Sequence, residues 1–378
     1  NTSRMGEPDF EKRMEAFAKL NEVEYSQLDA VQWLPLVHAC LFFINDEEFS
    51  IRSSARYSLS RFIDGTSLKK DEAQAAPYDH VLKDVILPNL RVGIRKDNDR
   101  IQKEYVLLLA HVVEHSKYYT DLADMKVLLF DNDDEANFFL NVGHIQIHRR
   151  QRAVRRLGNF APQITPSNIS HYLIPIVERF VYCETTENSN ARNLSNDAIE
   201  SIGILVRYIN WNQYKALMKR FVSYLKNKVN YFRDVVHLVV STCTALKISI
   251  KNRDVVMEID SEEVDHDKAV IKGLCKDQNE IDNFILKSLL PQLNEVLGIR
   301  DEDTAVVRVS ISESIVSLIL CLSEQQQTTE LPGVLTKVAQ ILRTRSEELR
   351  DSVRKSLGKI AVTLGTKYLP FVIRELKG

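Results

Sequence analysis

The chain has 378 residues, 44% hydrophobic and 27% charged side chains, only 12 glycines and 10 prolines, and a formal net charge of −2. Gly and Pro together at about 6%, roughly half the usual share, are too few turn formers for a strand-rich sandwich or barrel, and the glycines too few for a series of phosphate-cradling loops. The apolar content excludes disorder of the whole chain, and no apolar run approaches a membrane span, so no membrane partner is expected.

In chain order, the first signal is Trp33-Leu-Pro35-Leu-Val37, an apolar helix carrying a proline, which recurs as Ile86-Leu-Pro88-Asn-Leu90. A helical stripe follows at Ile101, Tyr105, Leu108 and Val112, offsets that one face of a 3.6-residue turn brings into line. The proline signal returns at Leu173-Ile-Pro175-Ile-Val177, and Cys183 to Asn196 is polar and reads as a long loop. Ser249 to Asp282 holds an acidic run without a stripe, and predicts a solvated linker or excursion. Beyond it Leu290-Pro291 precedes the stripe Ile311, Ile315, Leu318, Leu322, and Leu331-Pro332 precedes the stripe Val353, Leu357, Ile360, Leu364. Paired helices at a period of about 40 to 47 residues are the mark of HEAT and armadillo arrays. The predicted fold is therefore all-α, a HEAT/armadillo-like helical-repeat solenoid, with repeats over 1–248, an acidic linker over 249–282 and further repeats over 283–378. The clearest unit is Leu331 to Gly365. The start at Asn1 and a closing segment, Tyr368 to Leu376, that reads as the opening of another helix lead to the expectation of a piece of a longer chain.

The search for reactive chemistry yields little. Dinucleotide, phosphate-loop and nucleophile-elbow patterns are absent, and the five cysteines have no metal-binding spacing, which fits a reducing compartment. Asp131-Asn-Asp-Asp-Glu135 starts like a calcium loop but has Ala136 where the glycine should stand and Val142 where the bidentate glutamate should. His111-Val-Val-Glu114-His115 has the form of a zinc-hydrolase motif, yet it ends a core stripe, so two histidines packed at a helix boundary are the plainer expectation. No catalytic residue, metal, cofactor or small-molecule substrate is expected.

Charge is the informative signal. Residues 1–135 balance to −8, residues 136–253 to +11 and residues 254–378 to −5. No acidic residue occurs from Ala136 to Val177, while Arg149, Arg150, Arg152, Arg155 and Arg156 crowd into two helical turns, with Arg149, Arg152 and Arg156 on one face and Ile145, Val154 and Leu157 toward the core. A second basic stretch comprises Lys215, Lys219, Arg220, Lys226, Lys228 and Arg233, interleaved with aromatics whose spacing suits a buried face. Arg149, Arg150, Arg152, Arg155, Arg156, Lys219, Arg220, Lys226 and Lys228 are the candidate phosphate contacts, since arginine forks match paired phosphate oxygens and a polyanion gains by releasing counterions. An acidic protein surface would satisfy the same arginines.

The segment Asn141 to Leu157, above all His144 to Arg150, resembles the basic helix of a nucleolar helical-repeat family, the small-subunit processome scaffold also called down-regulated in metastasis. Ala198-Ile-Glu-Ser-Ile-Gly203, Trp211-Asn-Gln-Tyr214 and the unit from Glu347 to Gly365 are similar to that family as well. The resemblance implies a non-catalytic scaffold in the nucleolus that takes part in 18S precursor processing, with pre-ribosomal RNA, a small nucleolar ribonucleoprotein and other processome proteins as partners. The alternatives are a transport or trafficking adaptor that binds peptides and, from another class, a zinc hydrolase using His111, Glu114 and His115.

Overall fold

A computed structural model describes residues 8–22, 28–130, 133–182, 189–253, 266–299, 304–343, 345–370 and 373–374. Among them no strand forms; the single β-bridge joins Asn210 to Lys272 in parallel. The chain folds as two compact units, residues 1–164 with 171–179 and residues 165–170 with 180–378.

The first unit holds α1 (Pro8–Glu22), α2 (Ala30–Phe43), α3 (Phe49–Ser67), α4 (Glu72–Val81), α5 (Leu87–Gly93), α6 (Asp99–His115), α7 (Phe138–Val142) and α8 (Ile147–Phe160). Neighbouring pairs α2 and α3, α5 and α6, and α7 and α8 pack together, and α3 packs directly on α6. Polar rungs between α3 and α6 reveal the repeat. Arg56 Nε donates to Glu104 at 2.7 Å, His111 Nε2 lies 2.7 Å from Asp64 Oδ1, and the Ser67 hydroxyl donates to the His115 carbonyl, at sequence separations of 48, 47 and 48. Partners that advance together along both helices belong to equivalent helices of successive repeats running in the same direction.

In the second unit α9 (Pro166–Asn168) precedes α11 (Ser189–Leu205), α12 (Trp211–Asn227), α13 (Phe232–Lys251), α14 (Gln278–Phe284), α15 (Leu290–Leu297), α16 (Ala305–Val309), α17 (Ile311–Ile319), α18 (Glu324–Ile341) and α19 (Glu347–Leu364); α10 (Ile174–Glu178) falls in the first. Here α11 packs on α13, α13 on α17 and α17 on α19. The rungs are Ser241 Oγ to the Ile199 carbonyl, Ser352 Oγ to the Val306 carbonyl and Ser356 Oγ to Glu313, 42, 46 and 43 residues apart. α11 and α13 approach closely at Gly203, where a Cβ would stand 2.0 Å from Ser241 Oγ and displace that hydroxyl. The architecture is a HEAT-like helical-repeat solenoid.

Eleven of the twelve stripe residues named from the sequence are buried, Ile101 alone being half-buried. Leu357 is buried where α19 meets α16, α17 and α18. Pro35 and Pro332 sit inside ordinary α-helices. Pro88, Pro175 and Pro291 do not; each stands just after a π turn, over Leu82–Ile86, Ile169–Leu173 and Ile285–Leu289. Proline has no N–H to give the carbonyl four residues back, and its ring crowds that carbonyl. A widened turn relieves the crowding, and the Leu87 and Leu290 amides accordingly reach five residues back to Leu82 and Ile285. All three copies share one apolar pattern, Leu82, Ile86, Leu87, Leu90, Ile94 in the first, Ile169, Leu173, Ile174, Val177, Val181 in the second and Ile285, Leu289, Leu290, Leu293, Leu297 in the third, and every one of these residues is buried.

Two segments depart from the sequence reading. The polar stretch Cys183 to Asn196 is helical from Ser189 onward, because burial of Leu194 and Ser195 outweighs the weak helix propensity of its asparagines. In the segment 249–282, residues 254–265, which include the acidic run, lie outside the described residues. Its C-terminal flank carries buried Ala269, Ile271, Leu274 and Ile281, and Ile271 N–H donates to Ser249 Oγ at 3.2 Å.

Candidate nucleic-acid interface

The arginine helix is α8, which starts at Ile147, six residues into the segment Asn141 to Leu157. Burial of Ala153, Val154, Leu157 and Gly158 fixes its inner face. Ile145 takes no part, being 86% exposed in the turn before the helix, where the helical phase that would turn it inward does not apply.

The arginines divide by what holds them. Arg150 turns back onto the preceding turn, donating from Nε to the His144 carbonyl at 2.5 Å and from Nη2 to the Ile145 carbonyl at 3.1 Å. It caps the chain entry rather than offering a free fork. Arg149 and Arg152 share Glu135, at 3.0 and 3.6 Å, with Arg149 29% and Arg152 44% exposed against 61% for the carboxylate. Ion pairs this exposed are worth little and are readily exchanged for another anion. Arg155 and Arg156 are both exposed, and Arg156 has no hydrogen bond or ion pair among the described residues. The local field is positive: partial desolvation, then Arg149, Lys103, His148 and Arg150, hold the His144 imidazole below its ordinary pKa. Lys103, from α6, lies against Gly143 and adds a cation that the sequence does not reveal, since it stands 40 positions away. Glu135 is the second residue missed; it lies one position before the acid-free window.

The second stretch belongs to the other unit and is arranged differently. Lys215 Nζ donates to Glu280 Oε1 at 2.8 Å and Lys226 Nζ to Glu295 Oε2 at 2.6 Å. Lys219 lies 5.9 Å from the centroid of Phe284 and Arg220 5.4 Å from that of Phe221. Lys228 sits 3.5 Å above Tyr182 and 5.0 Å from Tyr224. Apart from Arg220, whose ring partner belongs to α12 itself, these cations fasten α12 to its neighbours. Tyr214, Phe221 and Phe232 are buried. Trp211 Nε1, Lys215 Nζ and Cys275 Sγ all donate to the Glu280 carboxylate, at 2.9, 2.8 and 3.0 Å, and these hydrogen bonds hold its pKa down to about 2.

Of the residues in the zinc-hydrolase pattern, His111 and His115 stack at the end of α6 with ring centroids 4.1 Å apart. The carboxylate joining them is Asp64 of α3, while Glu114 stays 3.7 Å from His115 Nδ1. Burial, chiefly, lowers the His111 pKa.

The family model described as U3 small nucleolar RNA-associated protein 20, N-terminal, matches residues 1–98, and the model described as the U3 small nucleolar RNA-associated protein 20 domain matches residues 299–378. Two curated relatives align over essentially the whole chain. U3 small nucleolar RNA-associated protein 20 of Saccharomyces cerevisiae is 40% identical over 377 residues, covering 100% of this chain, and that of Schizosaccharomyces pombe is 34% identical over 383 residues, covering 99%. Over its whole length the chain is similar to part of U3 small nucleolar RNA-associated protein 20. It spans 15% of the length of each of these relatives. The first family model falls where the sequence reading found only repeat character, and neither model includes α8. A crystal structure of a Kap121p mutant, 14% identical and covering 98% of this chain and 46% of its own, superposes with a TM-score of 0.28, too low to bear on the argument. Among the described residues no helix is long and apolar enough to cross a membrane.

Proposed function

We propose that this chain is a non-catalytic scaffold segment that takes part in ribosome biogenesis within the small-subunit processome, in the nucleolus, holding pre-ribosomal RNA and proteins on its repeat surfaces. The names of its relatives support association with the U3 small nucleolar ribonucleoprotein. The observation that carries the RNA reading is the outer face of α8. Arg149, Arg152 and Arg156 stand there with either no internal partner or one weak, exposed carboxylate, in a field positive enough to depress His144. A repeat helix needs one apolar stripe to stack, and α8 meets that need with Ala153, Val154 and Leu157. Arg149, Arg152 and Arg156 are therefore available to meet phosphates, fixing the scaffold on folded RNA by shape and backbone rather than by base sequence.

With about three to five phosphates engaged, log affinity for structured pre-ribosomal RNA falls with log salt at a slope of roughly −2 to −4. Changing Arg149, Arg152 and Arg156 together to Glu weakens binding and flattens the slope while the circular dichroism of the array is retained. Unchanged RNA affinity in the folded triple variant would falsify this role and assign the face to an acidic protein surface, for which Glu135 is the internal precedent.

A further inference from the structure

The rungs between α3 and α6 end in a cluster that RNA binding does not use. Asp64 lies in the last turn of α3 and His111 and His115 lie one turn apart at the end of α6; one ligand-capable atom from each lies within 4.8 Å of the other two. His111 Nε2 is 2.7 Å from Asp64 Oδ1, and the two imidazoles lie nearly parallel, at 15°. The Ser67 hydroxyl, donating to the His115 carbonyl, ties the two helix ends together at the same place. The side chains of Asp64, His111 and His115 are 36%, 21% and 42% exposed, so solvent and ions reach all three.

We propose that Asp64, His111 and His115 bind a borderline-soft transition-metal dication, Zn2+ first among them, as a clip between two successive repeats. Two imidazoles and a carboxylate are the donors such an ion takes, leaving a fourth position to water. The spacing is close to what coordination needs. With metal–ligand distances of about 2.0–2.2 Å, ligand atoms at tetrahedral angles stand about 3.3–3.6 Å apart. The Asp64–His111 separation opens and the wider separations contract by side-chain rotation alone, with the backbone already pinned by Ser67. One dication offsets the charge of Asp64 and of Glu114 beside it, and the Glu114 carboxylate, 3.7 Å from His115 Nδ1, can close to accept a hydrogen bond from that N–H when Nε2 turns to the ion, the outer partner that metal-bound histidines use. This is a fastening role, different from hydrolysis. The carboxylate that completes the set comes from the neighbouring helix, not from the Glu114 position where the hydrolase pattern has its general base.

The test is calorimetric titration of the 378-residue chain with ZnCl2 at neutral pH, with Co2+ absorption as a parallel report of tetrahedral geometry. One ion per chain is expected, bound at least about tenfold more weakly by His115→Ala and by the isosteric Asp64→Asn, with the tetrahedral cobalt spectrum lost in both. His38→Ala, on α2, serves as the control and leaves the affinity unchanged. Thermal unfolding provides the second readout. At zinc a hundredfold above Kd, the Tm of the parent chain rises by about 3–4 °C while that of Asp64→Asn does not. No one-to-one binding tighter than about 100 μM, or equal affinity in both variants and the parent, overturns the site.

Discussion

Helices α8 and α12 are both basic and amphipathic, both bury an apolar stripe, and both stand out in the same charge census. The structure treats them as opposites. On α12 and at its C-cap the lysines are answered from within the fold, Lys215 by Glu280, Lys226 by Glu295 and Lys228 by two tyrosine rings. On α8 Arg149 and Arg152 share one exposed carboxylate. A run of positive charge is thus a candidate interface only to the extent that the rest of the chain fails to claim it, and the claimants lie up to 69 residues away.

The comparison can be broken most forcefully through what the helices share. Phe221→Ala on α12 should cost about 3–5 kcal/mol and Leu157→Ala on α8 about 2–5 kcal/mol, read by chemical denaturation, because each leaves a cavity in a closed core. A negligible loss for either would mean that its stripe is not the stacking face. Glu135→Ala sharpens the contrast from the α8 side: with Arg149 and Arg152 released, RNA affinity should rise and the salt slope steepen by up to about one phosphate, measured by filter binding across a salt series. Unchanged affinity would mean that these two arginines do not meet RNA.

From the α12 side the effects are smaller and of another kind. Lys228→Ala should destabilise by about 0.5–2 kcal/mol through its lost tyrosine contacts, and Lys226→Ala by at most about 1 kcal/mol, its ion pair being exposed. Neither should alter RNA affinity; a fall in affinity at full stability would move α12 into the interface. The smallest effect is a pH dependence. Glu280 has its folded pKa held down to about 2, so its contribution is fully present above the ordinary carboxylate value and is lost as pH falls toward about 2. Glu280→Gln should therefore lower stability near neutrality and shrink the difference from the parent in acid, a trend that acid titration of Tm would show or deny.

Much of the fold could be read from spacing because stripes are local: Ile311, Ile315, Leu318 and Leu322 are buried as their offsets require. The same logic failed at Ile145, where an offset was extended beyond the first residue of the helix. The arginines of α8 were legible as a composition, but their availability was not, since it depends on Glu135 and Lys103, residues brought in by the turn before α7 and by α6. Likewise the pattern His111, Glu114, His115 names the helix that carries both imidazoles but not the carboxylate that lies against them. Asp64 lies one repeat earlier, and only the stacking of α3 on α6 brings it there.

The π turns ahead of Pro88, Pro175 and Pro291 bear on how this chain tolerates change in length. Each residue of an α-helix advances the side chain by about 100°, so the extra residue in a π turn is an angular offset between the two halves of the rod. Deleting Lys83, which lies in the first of these turns, would rejoin the halves as an ordinary helix. Leu82 would then swing about 100° away from the side that holds Leu87, Leu90 and Ile94. The proline downstream would also again face a carbonyl it cannot bond. At these three places the extra residue is locked in: neither half can turn back without unseating a core residue of its repeat.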